Sequence, residues 1–279
     1  MKTTRVYSDL HQEFKEESFF AIAESGDEQN QNLVLAGDIY HLSHLHKKEK
    51  GVFYDNFYSN LSSRFNKVII VFGNHDFYGS KLAESYILKF HEYLKKYDNV
   101  FLLSRFTPSV EDEDTVFIGA PLWTDFGGKN PALIPHRKYD TETNDFKYIT
   151  YISKQGYTKY KPLFWINEFT QDFNWIKKET EKFKDKHIFM VTHFAPSSLS
   201  YDYEDPKGEG IIYYKSNLDD FILNNPHIKY WVHGHIHTPN DLFLGNTHIY
   251  SNPIGYEKKF DDNPEYSFVH KASTPRIKL

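Results

Sequence analysis

An α/β fold is what this sequence predicts, and three observations predict it. Short apolar runs of strand length recur along the 279 residues, amphipathic stripes of helical spacing separate them, and each run stops at a small polar motif. Continuous apolar runs of this length are what strands buried on both faces look like. Strand, polar loop, helix and strand in alternation is the α/β layout, and such folds collect ligands beyond the carboxyl ends of their strands.

Arg5-Val6-Tyr7-Ser8 reads as the first strand, with Asp9 at its end. Leu33-Val34-Leu35-Ala36 stops at Gly37-Asp38, and Val68-Ile69-Ile70-Val71-Phe72 stops at Gly73-Asn74-His75-Asp76. Ile188-Phe189-Met190-Val191 precedes Thr192-His193, and Lys229-Tyr230-Trp231-Val232 precedes His233-Gly234-His235-Ile236-His237. Leu82, Tyr86, Ile87, Phe90, Tyr93, Leu94 and Tyr97 make one helical stripe; Phe169, Phe173, Ile176 and Phe183 make a second.

Residues 125–171 break the pattern. They hold Gly127-Gly128, three prolines, many tyrosines and mixed charge. A long irregular segment inside a compact domain is usually functional, and its aromatic content argues against disorder. It is expected to be an inserted, partly helical cap within a single domain spanning 1–279. Residues 201–210 form an acidic, Gly-rich second loop, and 253–279 read as a tail beginning near Gly255-Tyr256.

Composition sets outer limits. A hydrophobic share of 39% with 25% charged residues is that of a globular chain. The net charge of −5 and the lack of an extended basic stripe disfavour nucleic acid as partner. With no Cys there are no disulfides and no thiolate metal site, which fits a reducing, cytoplasmic setting. No run is long enough to span a bilayer, and no apolar leader precedes the first strand. Nothing in the sequence speaks to oligomeric state.

The strand-end motifs offer carboxylate, imidazole and amide oxygen in one ordered set. Mixed N/O ligands suit Mn, Fe, Zn or Ni better than Mg or Ca. Two ions about 3.5–4 Å apart can acidify a water and neutralise phosphate oxygens together. A carboxylate shared by both ions offsets their repulsion, and Asp38 is the natural bridge. Asp9, His11, Asn74, His193, His235 and His237 complete the metal-ligand candidates. His235 and His237 are expected to lie in a loop that lets both share one face, with Gly234 permitting an unusual backbone angle. His75, beside Asp76, suits protonation of a leaving alkoxide.

Asp9-Leu10-His11, Gly37-Asp38, Gly73-Asn74-His75-Asp76, His193 and Gly234-His235-Ile236-His237, in that order, resemble the calcineurin-like metallophosphoesterase superfamily. The resemblance implies a four-layer α/β/β/α sandwich of two mixed sheets flanked by helices. It implies one metal held by Asp9, His11, Asp38 and His237, and another held by Asp38, Asn74, His193 and His235. It makes His75 the catalytic acid and Asp76 the residue that orients it. Gly119-Ala120-Pro121-Leu122-Trp123-Thr124-Asp125-Phe126, Asn144-Asp145, Thr192-His193-Phe194-Ala195-Pro196-Ser197 and Asn252-Pro253-Ile254-Gly255-Tyr256 are similar to a bacterial and phage subgroup of small cytosolic phosphoesterases. Two positions depart from the superfamily: His41 stands where an acid often follows Gly-Asp, and Thr192 stands where Gly often precedes the histidine. The arginine of the protein Ser/Thr phosphatases is missing, which counts against a phosphoprotein substrate.

The expected function is therefore a dinuclear, metal-dependent phosphoesterase, Mn²⁺ being the first choice of metal. A metal-bridging hydroxide would attack a small, nucleotide-like phosphoester. The alternatives are a nuclease acting on DNA or RNA ends and a non-catalytic metal-binding scaffold of the same fold. Asn144, Asp145 and Arg137 are candidate substrate contacts from the cap. His41, His44 and His46 lie on a Lys-rich loop and read as solvated; Trp123 and Tyr256 read as packing; His233 is expected on the opposite face from His235.

Overall fold

In the structure, a computed structural model, residues 3–14, 22, 24–45, 47–128, 143–153, 156–200, 213–256 and 277–278 are described. The strands are β1 (Thr3–Tyr7), β2 (Gln31–Ala36), β3 (Lys67–Val71), β4 (Lys81–Leu82), β5 (Val100–Leu102), β6 (Val110–Asp112) and β7 (Thr115–Ala120). They continue as β8 (Thr150–Ser153), β9 (Gly156–Lys159), β10 (His187–Thr192), β11 (Ile228–His233), β12 (Asn240–Leu244), β13 (Thr247–Ser251) and β14 (Ile277–Lys278). The helices are α1 (Lys48–Arg64), α2 (Glu84–Leu94), α3 (Asn144–Tyr148), α4 (Pro162–Lys182) and α5 (Asp219–Leu223).

Two large mixed sheets form the centre. The first runs β14-β1-β2-β3-β5 and is parallel except at β14; the second runs β12-β13-β11-β10-β7-β6 and is parallel except at its two edges. Strand residues alternate between two cores. Val6, Val34, Ile69 and Val71 of the first sheet face Phe117, Phe189, Val191, Val232 and Tyr250 of the second. Their neighbours Tyr7, Leu35, Val68 and Ile70 turn outward, onto Tyr54, Tyr58 and Leu61 of α1 and Ile87, Phe90 and Leu94 of α2. On the far side Ile118, Met190 and Trp231 meet Trp165, Phe169 and Ile176 of α4. The central strands β2, β3, β7 and β10 are buried on both faces over nearly their whole length, which is why their sequences are continuous apolar runs rather than alternations. The layers run helix, sheet, sheet, helix, as expected.

The cap and the tail differ from their expected outlines. Residues 129–142, 154 and 155 lie outside the described residues. The remainder of 125–171 supplies α3, the β8–β9 hairpin and the first half of α4. The hairpin joins β4 in a small third sheet. The expected boundary at Gln171 falls inside α4, whose apolar face belongs to the outer layer of the second sheet. The tail is not wholly separate from the fold: β14 pairs antiparallel with β1 at the first sheet's edge. Among the described residues no helix is long and apolar enough to cross a membrane.

Candidate metal centre

Parallel pairing lines up the carboxyl ends of β1, β2 and β3 in one sheet and of β10 and β11 in the other. The sandwich then brings the two sets of strand ends together. Asp9, His11, Asp38, His235 and His237 all leave their strands with φ between 43° and 69°. Left-handed backbone at non-glycine residues costs roughly 1–3 kcal/mol each and persists only where its surroundings impose it. Here the loops brace one another: Asp9 N–H donates to Gly37 O at 3.0 Å, His11 N–H to Asp38 O at 3.0 Å, and Gly234 N–H to His193 O at 2.9 Å. Gly234 was expected to carry the unusual angle, but the two histidines carry it themselves. Gly234 is required for a different reason: a Cβ there would lie 2.7 Å from Asp9 Oδ2 and 2.8 Å from Ala36 O. At Gly37 both reasons apply, since φ is +87° and a Cβ would sit 2.3 Å from His193 Nδ1.

The seven residues form two groups with Asp38 between them. On one side His11 Nε2 and His237 Nε2 are 3.1 Å apart, and His237 Nε2 is 3.3 Å from Asp9 Oδ1. On the other, His193 Nε2 is 3.0 Å from Asn74 Oδ1, and the ligand atoms of Asp38, His193 and His235 lie within 4.8 Å of one another. Asp38 Oδ2 is 3.8 Å from His11 Nε2 and 3.3 Å from His193 Nε2, so one oxygen faces both groups.

The outer atoms of these side chains are held from behind. His193 Nδ1–H can donate to Ala36 O at 2.8 Å, His235 Nε2–H to Tyr213 O at 3.2 Å, and His11 Nδ1–H to Glu13 Oε1 at 3.0 Å. Each bond leaves the ring's other nitrogen as a lone pair aimed inward, the arrangement that fixes metal-ligating imidazoles. Asn74 donates its amide to Asp145 Oδ1 at 2.7 Å, which turns its oxygen toward the centre. Asp38 Oδ1 accepts His75 N–H at 2.8 Å, leaving Oδ2 to the centre.

The electrostatics ask for positive charge at this point. Burial alone would raise the Asp38 pKa, but the imidazoles of His193, His75 and His11 hold it far below the carboxylate range. Burial likewise disfavours a charged His193, yet Asp38 outweighs it and lifts the ring to about 9. His193 Nε2, Asp38 Oδ2 and Asn74 Oδ1 otherwise present three lone pairs to one another. A proton on His193 relieves that repulsion, and so would a cation. The donor set, all nitrogen and oxygen with no thiolate, fits a borderline transition-metal ion.

Over residues 3–239 the sequence matches the family described as calcineurin-like phosphoesterase. The chain belongs to that family. Membership supports a metal-dependent phosphoester hydrolase and implies divalent metal ions. A protein of Acanthamoeba polyphaga mimivirus, "Uncharacterized protein L509", is 24% identical over 223 residues, 76% of each chain. The crystal structure of phosphopantetheinyl hydrolase (PptH) from Mycobacterium tuberculosis superposes with a TM-score of 0.68 at 15% identity. It covers 95% of this chain and 94% of the other, and at that identity the likeness is one of fold.

Around the centre of this calcineurin-like phosphoesterase, several residues stand elsewhere than expected. Asp76 does not orient His75. Its carboxylate accepts the backbone N–H groups of Asp38, Ile39, Tyr40 and Gly73 at 2.7–3.0 Å, so it shapes the loop that carries Asp38. His75 Nδ1 instead meets Glu13 Oε1 at 3.2 Å, and its Nε2 meets Tyr256 OH at 3.0 Å. Glu13 was not singled out from the sequence, although its place two residues after His11 was a usable signal. Tyr256, expected to be packing, lies against His11, His75 and His237. Asp145 is buried and reaches the centre through Asn74, whose amide it holds in place. Asn144 is exposed on the first turn of α3 and has no hydrogen bond to the seven residues. Arg137 and His46 lie outside the described residues. His44 is buried against Tyr40 rather than solvated, and His41 is turned toward Glu13. Trp123 is wholly buried among Tyr160, Trp165 and Phe194, as packing requires.

Proposed function

We propose that this chain hydrolyses a small, nucleotide-like phosphoester with two transition-metal ions, Mn²⁺ first among them. Asp9, His11, Asp38 and His237 would hold one ion and Asp38, Asn74, His193 and His235 the other. The observation that carries this reading is the single Asp38 oxygen facing both groups. When bound, such a pair supplies Lewis-acid neutralisation of the phosphate oxygens and acidifies a water.

The chain's own residues then supply the proton. Burial works against a charged His75, but the Asp38, Glu13 and Asp145 carboxylates outweigh it and raise its pKa above the ordinary histidine value. Glu13 fixes the ring through Nδ1, so Nε2 is the nitrogen left to hand a proton to the departing alcohol oxygen. The Tyr256 hydroxyl sits on that nitrogen and lies where the leaving oxygen would have to come. Burial keeps this phenol protonated, with its pKa pushed well above the usual tyrosine value. It can therefore donate to a substrate oxygen.

The net charge of −5 supports a small substrate over a polynucleotide, and a chain without Cys fits a cytoplasmic setting. The test is a panel of phosphomonoesters, cyclic nucleotides, a phosphopantetheinyl ester and short oligonucleotides, each assayed with Mn²⁺. Turnover should be highest on one of the small esters. Dominant turnover of oligonucleotides would replace this reading with a nuclease. A protein that binds no metal and turns over nothing would replace it with a scaffold.

A further inference from the structure

Three loops that build the metal centre also build a second cluster beside it. Glu13 follows β1, His41 follows β2 and His75 follows β3, and their ligand atoms lie within 4.8 Å of one another. Glu13 Oε1 is 3.0 Å from His11 Nδ1, 3.2 Å from His75 Nδ1 and 3.5 Å from His41 Nε2. A carboxylate oxygen has two lone pairs, so it cannot serve three imidazoles. Meanwhile Glu13 Oε2 and His41 Nε2 are buried with no hydrogen-bond partner among the described residues. A buried carboxylate oxygen without a donor is costly, and in native proteins it points to a water or an ion.

The donor geometry favours the ion. Two imidazoles and one carboxylate are a ligand set of zinc sites that keep a fourth position open. Bonds of 2.0–2.1 Å in a tetrahedron put neighbouring ligand atoms about 3.3 Å apart, and the two separations from Glu13 to His75 and His41 are 3.2 and 3.5 Å. The His41 side chain is 20% exposed, which gives an ion a way in from solvent. His41 belongs to neither group of the metal centre, so this cluster has a member of its own.

We propose that Glu13, His41 and His75 form a third cation site, selective for Zn²⁺, and that filling it silences the enzyme. The silencing rests on the reading of His75 as the proton donor; the binding does not. As Zn²⁺ takes His75 Nδ1, the hydrogen that Glu13 held leaves to solvent. The ring keeps one proton, on Nε2, and holds it far more tightly than an imidazolium does. The acid is then lost although none of the seven residues of the main centre is taken as a ligand by the third ion.

The test starts from protein loaded with Mn²⁺, its content measured before any zinc is added. Zn²⁺ is titrated in, unbound metal is removed, and total metal is counted by elemental analysis. Rates are followed on an alkyl phosphoester and on a nitrophenyl one. The wild type should retain three ions in total and His41→Gln two. In the variant, inhibition by Zn²⁺ should need at least about tenfold more metal, with the zinc-free rate unchanged. Inhibition should be weaker on the nitrophenyl ester, whose leaving group needs no proton; equal inhibition on both would mean displacement of Mn²⁺ and overturn the silencing. A total of two ions in the wild type would overturn the site, and this count does not depend on the variant folding. A third ion with the alkyl ester still hydrolysed would uphold the site and overturn the acid role of His75. Fewer than two ions before zinc is added would strike the dinuclear reading instead.

Discussion

At the scale of the residue, His75 separates metal binding from chemistry. Its backbone N–H braces Asp38, but its ring is held by Glu13 and Tyr256. His75→Asn keeps the backbone bond and removes the imidazole. It should keep both metals and lose rate on a poor leaving group, by roughly 10²–10⁴-fold for a general acid. On a nitrophenyl ester the loss should shrink. Unchanged rate on an alkyl ester would remove His75 from the mechanism. Glu13→Gln tests the other end of the same hydrogen bond. One carboxylate orients both His11 and His75, so its loss should cost roughly 10–100-fold in metal affinity or activity, the usual effect of a partner behind a metal ligand. Elemental analysis and rate should fall together, whereas His75→Asn should move the rate alone.

At the scale of the element, the strands that carry the centre were the ones a reader could find. β1, β2, β3, β10 and β11 announce themselves because each apolar run ends abruptly in a polar motif. β7, Thr115–Ala120, is as apolar and as buried, yet no ligand follows it, so nothing marks its end. α1 begins in Lys-rich sequence with no capping side chain, and its apolar face is built of scattered aromatics. The β8–β9 hairpin hides in a stretch of tyrosines and charge that periodicity does not describe. The same division holds inside the site. The seven strand-end residues are local signals. Tyr256 lies 181 positions from His75, and Asp145 lies 71 from Asn74, so only the folded chain joins them.

One ion pair between elements was equally invisible and carries a prediction of its own. Arg105, just past β5, bonds Glu168 at 2.6 Å and also Asp172, both on α4. Asp172 in turn accepts Leu122 N–H at 3.1 Å, which ties α4 to the loop after β7. Arg105→Ala would leave two buried carboxylates without their cation, a change that costs roughly 3–5 kcal/mol when a buried pair is broken. The urea midpoint should fall accordingly while metal content stays the same. A variant that loses its metals but unfolds at the wild-type midpoint would place Arg105 in the centre instead of in the scaffold.

At the scale of the whole molecule, the centre sits on the seam between two sheets. Asp9, His11, Asp38 and Asn74 come from the first, and His193, His235 and His237 from the second. Between the sheets lies an apolar core that contributes attraction without direction. Bound ions would add directional links across that seam, and the strained loops at the strand ends would be held by them. A ligand that binds only the native state stabilises it by about 2.7 kcal/mol when present at a hundred times its Kd. A domain of nearly this size shifts by about 2–4 °C per kcal/mol, so each ion at that excess should raise Tm by roughly 5–10 °C. Chelation should lower Tm by a corresponding amount, and re-addition of Mn²⁺ should restore it. In Asp38→Asn the shared oxygen is gone, so added Mn²⁺ should raise Tm far less than in the wild type. A wild-type Tm that ignores both chelator and Mn²⁺ would mean that the seven residues do not join the two sheets through a metal.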